Sequence, residues 1–255
     1  MHQNKNITSL IKYLFSNIKN RIIENPFSFM SLVATHSLLL ILITLSNTWI
    51  NENVDIFKPI TGIVILRISI SLIISGIWIG YFKLILNYID NKKYNLKDLF
   101  VNFHLLPKII AVQAIYYIST LPVILYFIVK HPYDITKYGT DINNYFYTVF
   151  NNISTASISI SFLELCIIII LSMIPMIYLL KFWCAELLIV DEEISIKNAL
   201  IQSYTINSTS WPLIILMLVI LILNVLSMVF GYFVFIITLT LSYVILCTYY
   251  RLLKK

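Results

Sequence analysis

The sequence predicts an all-α, polytopic integral membrane protein with six transmembrane helices and amphipathic interfacial helices. Hydrophobic residues make up 59% of the 255 residues, charged residues make up 12%, and the mean hydropathy is +0.87. Soluble domains are about 45–50% apolar and about 25% charged. Apolar runs long enough to cross a bilayer also recur along the chain. This composition excludes a soluble globular protein and a disordered one.

The apolar runs define the expected spans and predict one membrane domain over residues 1–255. The predicted spans are residues 27–50, 60–86, 109–129, 158–180, 213–230 and 232–252. The last two come from a single run that would be roughly 60 Å long as one helix, about twice the thickness of the hydrocarbon core. Gly231 lies near its middle. We therefore expect a tight turn at Gly231 between two helices.

The distribution of basic residues predicts the orientation. Alternate polar segments, beginning with the N-terminal one, contain 14 of the 18 Lys and Arg residues, and the other polar segments contain 3. Basic residues flanking spans remain on the cytoplasmic side. Both termini are therefore predicted to be cytoplasmic, with the chain in the cytoplasmic (inner) membrane. The net charge of +6 is explained in the same way, and no nucleic-acid partner is expected.

Three polar segments are predicted to form interfacial helices, at residues 6–23, 95–105 and 195–205. In the first, apolar residues recur at helical spacing from Ile7 to Ile22. The basic residues Lys12, Lys19 and Arg21 make it a candidate lipid-surface helix for an anionic leaflet. The alternative is that these helices only join spans and pack beneath the bundle.

Two charged residues, Arg67 and Glu164, lie well inside predicted spans rather than at their cytoplasmic ends. Charges within a membrane are costly and often functional. Both lie at similar depth, roughly 10 Å and roughly 9 Å from the outer ends of their spans. One interpretation is a structural ion pair, and another is a binding or proton-relay site for an anionic head group or a coupling ion. Arg67 can also reach the outer surface with its long side chain.

Other polar and small residues within spans suggest helix–helix contacts. His36 and Asn224 both lie near the midplane, roughly 14–17 Å from the inner ends of their spans. A hydrogen bond between these two side chains is the predicted arrangement. Four small residues fall near one face of the second span and predict close helix packing. They are Gly62, Ser69, Gly76 and Gly80.

No motif indicates catalysis or a cofactor. The chain has no phosphate-binding glycine loop, no dinucleotide fingerprint, no HExxH and no GxSxG. The three cysteines, Cys166, Cys184 and Cys247, form no CxxC spacing, so they are expected to be inert thiols. We therefore expect no enzyme activity, no cofactor and no metal site.

Several segments resemble a family of uncharacterised bacterial six-helix integral membrane proteins. These segments are Gly80–Leu86, Asn95–Phe100, Leu187–Ser203 and the closing hairpin around Gly231 that ends in Thr248–Leu253. That family is similar to the membrane domain of glycerophosphoryl diester phosphodiesterases. In those relatives catalysis belongs to a separate soluble barrel domain, which is not expected in this chain. The resemblance therefore implies the six-helix fold and implies no catalytic residues.

The leading hypothesis is a non-enzymatic membrane protein that binds lipid or a membrane partner protein. Its expected partners are the bilayer, including anionic lipids, and a membrane protein or a second copy of the chain. The alternative is a small-solute or ion transporter in which Arg67 and Glu164 line the pathway.

Overall fold

The structure is a computed structural model that describes residues 7–52, 60–93, 95–130, 162–206 and 211–254. Within these residues the secondary structure is helical and contains no strand, which confirms the all-α fold. Six of the described helices are long and apolar enough to cross a membrane. This is the architecture of a multi-pass membrane protein.

The described residues form ten α-helices and one short 3₁₀-helix. They are α1 (Ile7–Glu24), α2 (Pro26–Glu52), α3 (Ile60–Ile89), α4 (Asp98–Val101), the 3₁₀-helix (Asn102–Leu105), α5 (Leu106–Lys130), α6 (Phe162–Phe182), α7 (Ala185–Glu192), α8 (Ile196–Ile206), α9 (Trp211–Val229) and α10 (Tyr232–Lys254). The six candidate spans lie in α2, in α3, in α4 to α5 (Asp98–Tyr126), in α6 to α7 (Cys166–Glu192), in α9 and in α10.

The helix ends differ from the predicted ones by a few residues. The predicted fourth span begins at residue 158, and residues 158–161 lie outside the described ranges. Helix α7 was not predicted, because its eight residues carry no separate apolar run of spanning length. Gly231 has a φ of +105° and forms the turn between α9 and α10. Glycine adopts this conformation without the strain that a side chain would cause.

The chain divides into two compact units. The first contains residues 1–111 and 184–255, and the second contains residues 112–183. In the second unit the Tyr178 hydroxyl of α6 donates a hydrogen bond to the Val112 carbonyl of α5 at 3.1 Å. The core of the first unit lies around the C-terminal half of α3, where Tyr81, Leu84 and Ile85 are buried.

Helix α3 is central only in its C-terminal half. Ile65, Ile68 and Ile73 in the other half are exposed, as side chains that face lipid would be. In the packed half, a Cβ atom on Gly80 would lie 2.1 Å from the carbonyl oxygen of Leu99 in α4. Glycine at this position therefore lets α4 rest directly on α3.

Helix α1 packs against α2 and α10. Leu14 and Ile18 of its apolar face are buried, so part of that face is covered by protein. This arrangement matches the packing alternative for these two residues. Lys12 and Lys19 are exposed on α1, and α1 can present their charges to a surface.

Candidate functional site

Polar residues from several helix ends meet at one end of the first unit. We call this region the polar end and define it by Arg21, residues 90–93, residues 191–193, Arg251 and Lys254. It contains an ion-pair network, a capped turn and a cavity, all built from residues of the same unit. These residues lie at or just beyond helix ends, and their exposure ranges from largely buried (Arg251, Asp191) to exposed (Lys92, Lys93).

Arg251 at the end of α10 is the centre of the ion-pair network. Its Nη2 donates to Asp191 Oδ1 at 2.9 Å and to Asp90 Oδ2 at 2.6 Å, while Nη1 donates to Asp191 Oδ2. The two bonds to Asp191 form the fork geometry that arginine makes with a carboxylate. The Arg251 and Asp191 side chains are only 16% and 10% exposed. Arg251 therefore joins the ends of α3, α7 and α10.

Two further side chains donate hydrogen bonds to the Asp191 carboxylate. Lys254 Nζ lies 2.6 Å from Asp191 Oδ2, and Lys254 also pairs with Glu192. The hydroxyl of Tyr250, whose side chain is fully buried, donates to Asp191 Oδ2 at 2.9 Å. A carboxylate with this many donors is strongly stabilised in its charged form. Asp191 is thus the acceptor around which the end of α10 is fixed.

Lysines also satisfy the carbonyl groups at the C-terminal end of α7. Lys83 Nζ of α3 donates to the Val190 carbonyl at 3.2 Å. Lys108 Nζ of α5 donates to the Glu193 carbonyl at 2.8 Å and to the Ile194 carbonyl at 3.3 Å. The last carbonyl groups of a helix accept no hydrogen bond from within the helix, and a nearby cation stabilises them. These bonds fix α7 against α3 and α5.

Helix α3 ends in a Schellman turn, and Lys92 and Lys93 lie at and just after this turn. The Asn91 N–H donates to the Tyr88 carbonyl and the Lys92 N–H donates to the Asn87 carbonyl, which is the pattern of this motif. Asn91 has a φ of +55°, the left-handed conformation that asparagine tolerates well. Its side-chain oxygen accepts a hydrogen bond from Arg21 Nη1 of α1 at 2.8 Å. The turn is therefore held by its own backbone hydrogen bonds and by the side chain of Arg21.

A cavity of about 580 Å³ lies between this turn and the start of α2. Its size is within the usual range for ligand sites, about 300–1,000 Å³. Polar and basic side chains dominate its lining. The lining residues are Asn25, Phe27, Ser28, Ser31, Tyr88, Asn91, Lys92 and Lys93.

His36 lies in a different environment, deep in the first unit. It is fully buried, its Nδ1 lies 2.9 Å from Thr240 Oγ1, and the hydroxyl of Thr240 donates to the Ile236 carbonyl. Nδ1 is therefore the protonated nitrogen, assigned from this bonding pattern. The rings of Trp78 and Tyr243 each pack 5.4 Å from the imidazole. Within the described residues, His36 Nε2 has no hydrogen-bond partner.

The predicted hydrogen bond between His36 and Asn224 is wrong. Asn224 Nδ2 of α9 donates to Ser242 Oγ of α10 at 3.0 Å, and His36 of α2 bonds to Thr240 of the same helix. Helix α10 contacts both α2 and α9, so each polar group finds its partner there. The depth of a residue along its helix does not determine which helix is its neighbour.

The other predicted residues lie on several different helices. Arg67 is exposed on α3 in the first unit, and Glu164 is half-buried on α6 in the second. Their pairing therefore stays a prediction. The Ser69 hydroxyl is exposed and donates to the Ile65 carbonyl of its own helix. In the described part of the chain, no three His, Cys, Asp or Glu residues are arranged to hold a metal ion.

The remaining small and cysteine residues have packing roles. A Cβ atom on Gly76 would lie 2.4 Å from the ring of Phe103, so Gly76 accommodates that side chain. Gly62 lies in the first turn of α3. Cys184 and Cys247 are buried and Cys166 is half-buried, with all three thiols reduced.

Sequence reasoning missed the network of Asp90, Asp191 and Arg251. The signal was present in part, because Asp191 and Arg251 lie in two of the segments that carry the family resemblance. Their separation of 60 residues gives no spacing pattern from which a contact can be inferred. The cavity lysines, Lys92 and Lys93, were counted only as evidence of orientation.

Comparisons of the chain with protein-family models, with curated proteins and with solved structures found no match. Function is therefore argued from the geometry of the polar end.

Proposed function

We propose that the chain is a non-enzymatic multi-pass protein of the cytoplasmic membrane that binds anionic lipid at its polar end, with both termini cytoplasmic. A membrane partner protein, or a second copy of the chain, is the other ligand class consistent with the same surface. The observation that carries the proposal is the convergence of four apolar helix ends and their basic residues in one region. The resemblance to bacterial six-helix membrane proteins supports the same assignment.

The contacts of the polar end support the proposed orientation. They join the start of α2, the end of α3, the start of α5 and the end of α10, through Arg21, Lys108 and Arg251. In a chain that crosses the bilayer six times, these four helix ends fall on the same side. The basic residues of the sequence favour the cytoplasm for that side.

Exposed charge supports anionic lipid as the ligand. Lys12 and Lys19 on α1, and Lys93 and Lys97 after α3, are exposed. Each such residue near a negatively charged leaflet contributes about 1 kcal/mol of attraction. The exposed apolar halves of the spanning helices place these lysines close to the head groups, because the helices have to be buried in hydrocarbon.

The transporter alternative depends on Arg67 and Glu164. Glu164 is half-buried in an otherwise apolar helix, and a carboxyl group in that setting is a reasonable coupling site. We rank this function second because Arg67 and Glu164 lie in different units, whereas the polar end is a continuous set of contacts.

Lipid analysis of the purified protein tests the proposal. We expect the variant Lys12→Gln/Lys19→Gln to retain less anionic lipid than the wild type at about 0.15 M salt, where surface attraction still operates. The control is Lys58→Gln/Lys137→Gln, which removes the same charge from segments predicted to be external. Equal anionic lipid in the wild type and both variants would contradict the proposed binding of anionic lipid through the exposed lysines of α1.

A further inference from the structure

We propose that the cavity between the start of α2 and the turn after α3 binds the phosphate group of an anionic phospholipid. This inference rests on the proposed function and makes it more specific, because it assigns a defined site and a ligand class. The cavity holds about 580 Å³, which accommodates a glycerophosphate head group. Its ligand-facing groups come from two elements of the first unit.

The charges around the cavity leave it net positive. Lys92 Nζ lies 3.4 Å from Asp90 Oδ2, but that oxygen also accepts the 2.6 Å bond from Arg251. Lys92 therefore shares the Asp90 carboxylate with Arg251, and Lys93 adds a positive charge that no carboxylate of the described residues pairs. The protein's own carboxylates do not fully neutralise this positive charge, so it can attract an anion that enters the cavity.

The cavity also provides hydrogen-bond donors in fixed positions. Ser31 of α2 supplies a hydroxyl, and Asn25 supplies an amide. The Schellman turn and the Arg21 bond to Asn91 hold the backbone that carries the two lysines. A site that is already ordered binds at a lower entropic cost. The first turn of α2 adds a favourable dipole for an anion.

The surroundings favour a lipid over a soluble phosphate. Phe27 lines the cavity and is 89% exposed, and Met30 on the next turn is also exposed. Beyond them α2 continues with the exposed apolar residues Leu38 and Ile41. A phospholipid with its phosphate in the cavity can place its acyl chains along this surface. A free phosphate leaves that apolar surface without a ligand.

Native mass spectrometry of the full chain in phosphatidylglycerol-containing micelles tests the site. The solution contains about 0.5 M volatile salt, at which the screening length is only about 4 Å and diffuse surface attraction is largely removed. Phosphatidylcholine in the same micelles serves as the zwitterionic probe. We expect one phosphatidylglycerol molecule to remain bound to the wild type under these conditions.

Two variants alter the cavity in different ways. Lys92→Gln/Lys93→Gln removes its charge, and we expect retention to weaken by about tenfold or more for each lysine, because each loses a charge-assisted hydrogen bond to the phosphate. Ser31→Phe leaves both lysines in place and puts an aromatic ring in the space that the head group needs, and we expect it to abolish retention. The matched control Lys58→Gln/Lys137→Gln loses the same charge from segments predicted to be external, and we expect its retention to equal that of the wild type. Thermal unfolding of each variant establishes that it is folded.

The outcomes separate this inference from the proposed function. If Lys12→Gln/Lys19→Gln loses lipid at low salt but the wild type retains none at high salt, the cavity is refuted and the proposed function stands. Retention by Ser31→Phe, or equal loss in Lys92→Gln/Lys93→Gln and in Lys58→Gln/Lys137→Gln, also refutes the cavity. Displacement of the lipid by an equal concentration of glycerol phosphate would show that the site recognises free phosphate instead. No enrichment of phosphatidylglycerol over phosphatidylcholine at either salt concentration refutes both.

Discussion

Replacing Asp191 with asparagine tests whether the ion-pair network holds the polar end together. The substitution keeps the size of the side chain and removes its charge. In the structure Asp191 accepts bonds from Arg251, Lys254 and Tyr250. An asparagine can accept at only one atom and presents an N–H group to at least one of these donors. The arginine fork and the lysine bond therefore cannot both persist.

The magnitude follows from the burial of the pair. Removing one partner from a fully buried ion pair costs about 3–5 kcal/mol. Arg251 retains Asp90 at 2.6 Å and is 16% exposed, so we expect the lower limit, about 3 kcal/mol for Asp191→Asn. For a chain of this size that loss corresponds to a melting temperature lower by roughly 6–12 °C.

Thermal unfolding in one detergent measures the effect, with Glu192→Gln as the matched control. Glu192 is adjacent in sequence and loses the same charge, but its side chain is 28% exposed and pairs with Lys254. An exposed pair of this kind contributes at most about 1 kcal/mol. If Asp191→Asn destabilises no more than Glu192→Gln, the network does not stabilise the fold and the reasoning fails.

Two further substitutions test the packing of α3 and the charges within the spans. Gly80→Ala should destabilise the protein by about 1–3 kcal/mol in thermal unfolding, because its Cβ meets the Leu99 backbone; no loss would mean that α4 does not rest on α3. Arg67→Leu and Glu164→Leu should each destabilise, and the double variant should regain much of the loss if the side chains pair, since one unpaired charge costs up to about 2.5–3.5 kcal/mol. Additive losses in this double-mutant cycle would show that the two side chains do not meet.

Helix positions could be predicted from the sequence because spanning length depends on local composition. The turn at Gly231 followed from the length of the apolar run before and after it. The apolar face of α1 was also evident from its spacing. The spacing did not show whether that face contacts lipid or protein, because the burial of Leu14 and Ile18 depends on helices distant in sequence. Periodicity identifies a face but not its partner.

The candidate site could be predicted only in part, for the same physical reason. The presence of polar side chains within apolar helices at His36 and Asn224 could be read from the sequence. Their hydrogen bonds depend on which helices are neighbours and on helix rotation, and both side chains bond to α10 instead. The pairing of Asp191 with Arg251 and Asp90 requires three chain segments to converge, and no local pattern encodes that convergence.

Topology mapping tests the central claim, that the polar end faces the cytoplasm, most directly. A reporter active only in the cytoplasm is fused after Lys255, and a reporter active only outside is inserted at Asp141, in the segment predicted to be external. The account predicts that both are active, because α10 and α3 end in the same ion-pair network and the basic residues favour the cytoplasm for that side. An external C-terminus would contradict both the orientation and the placement of the lipid site.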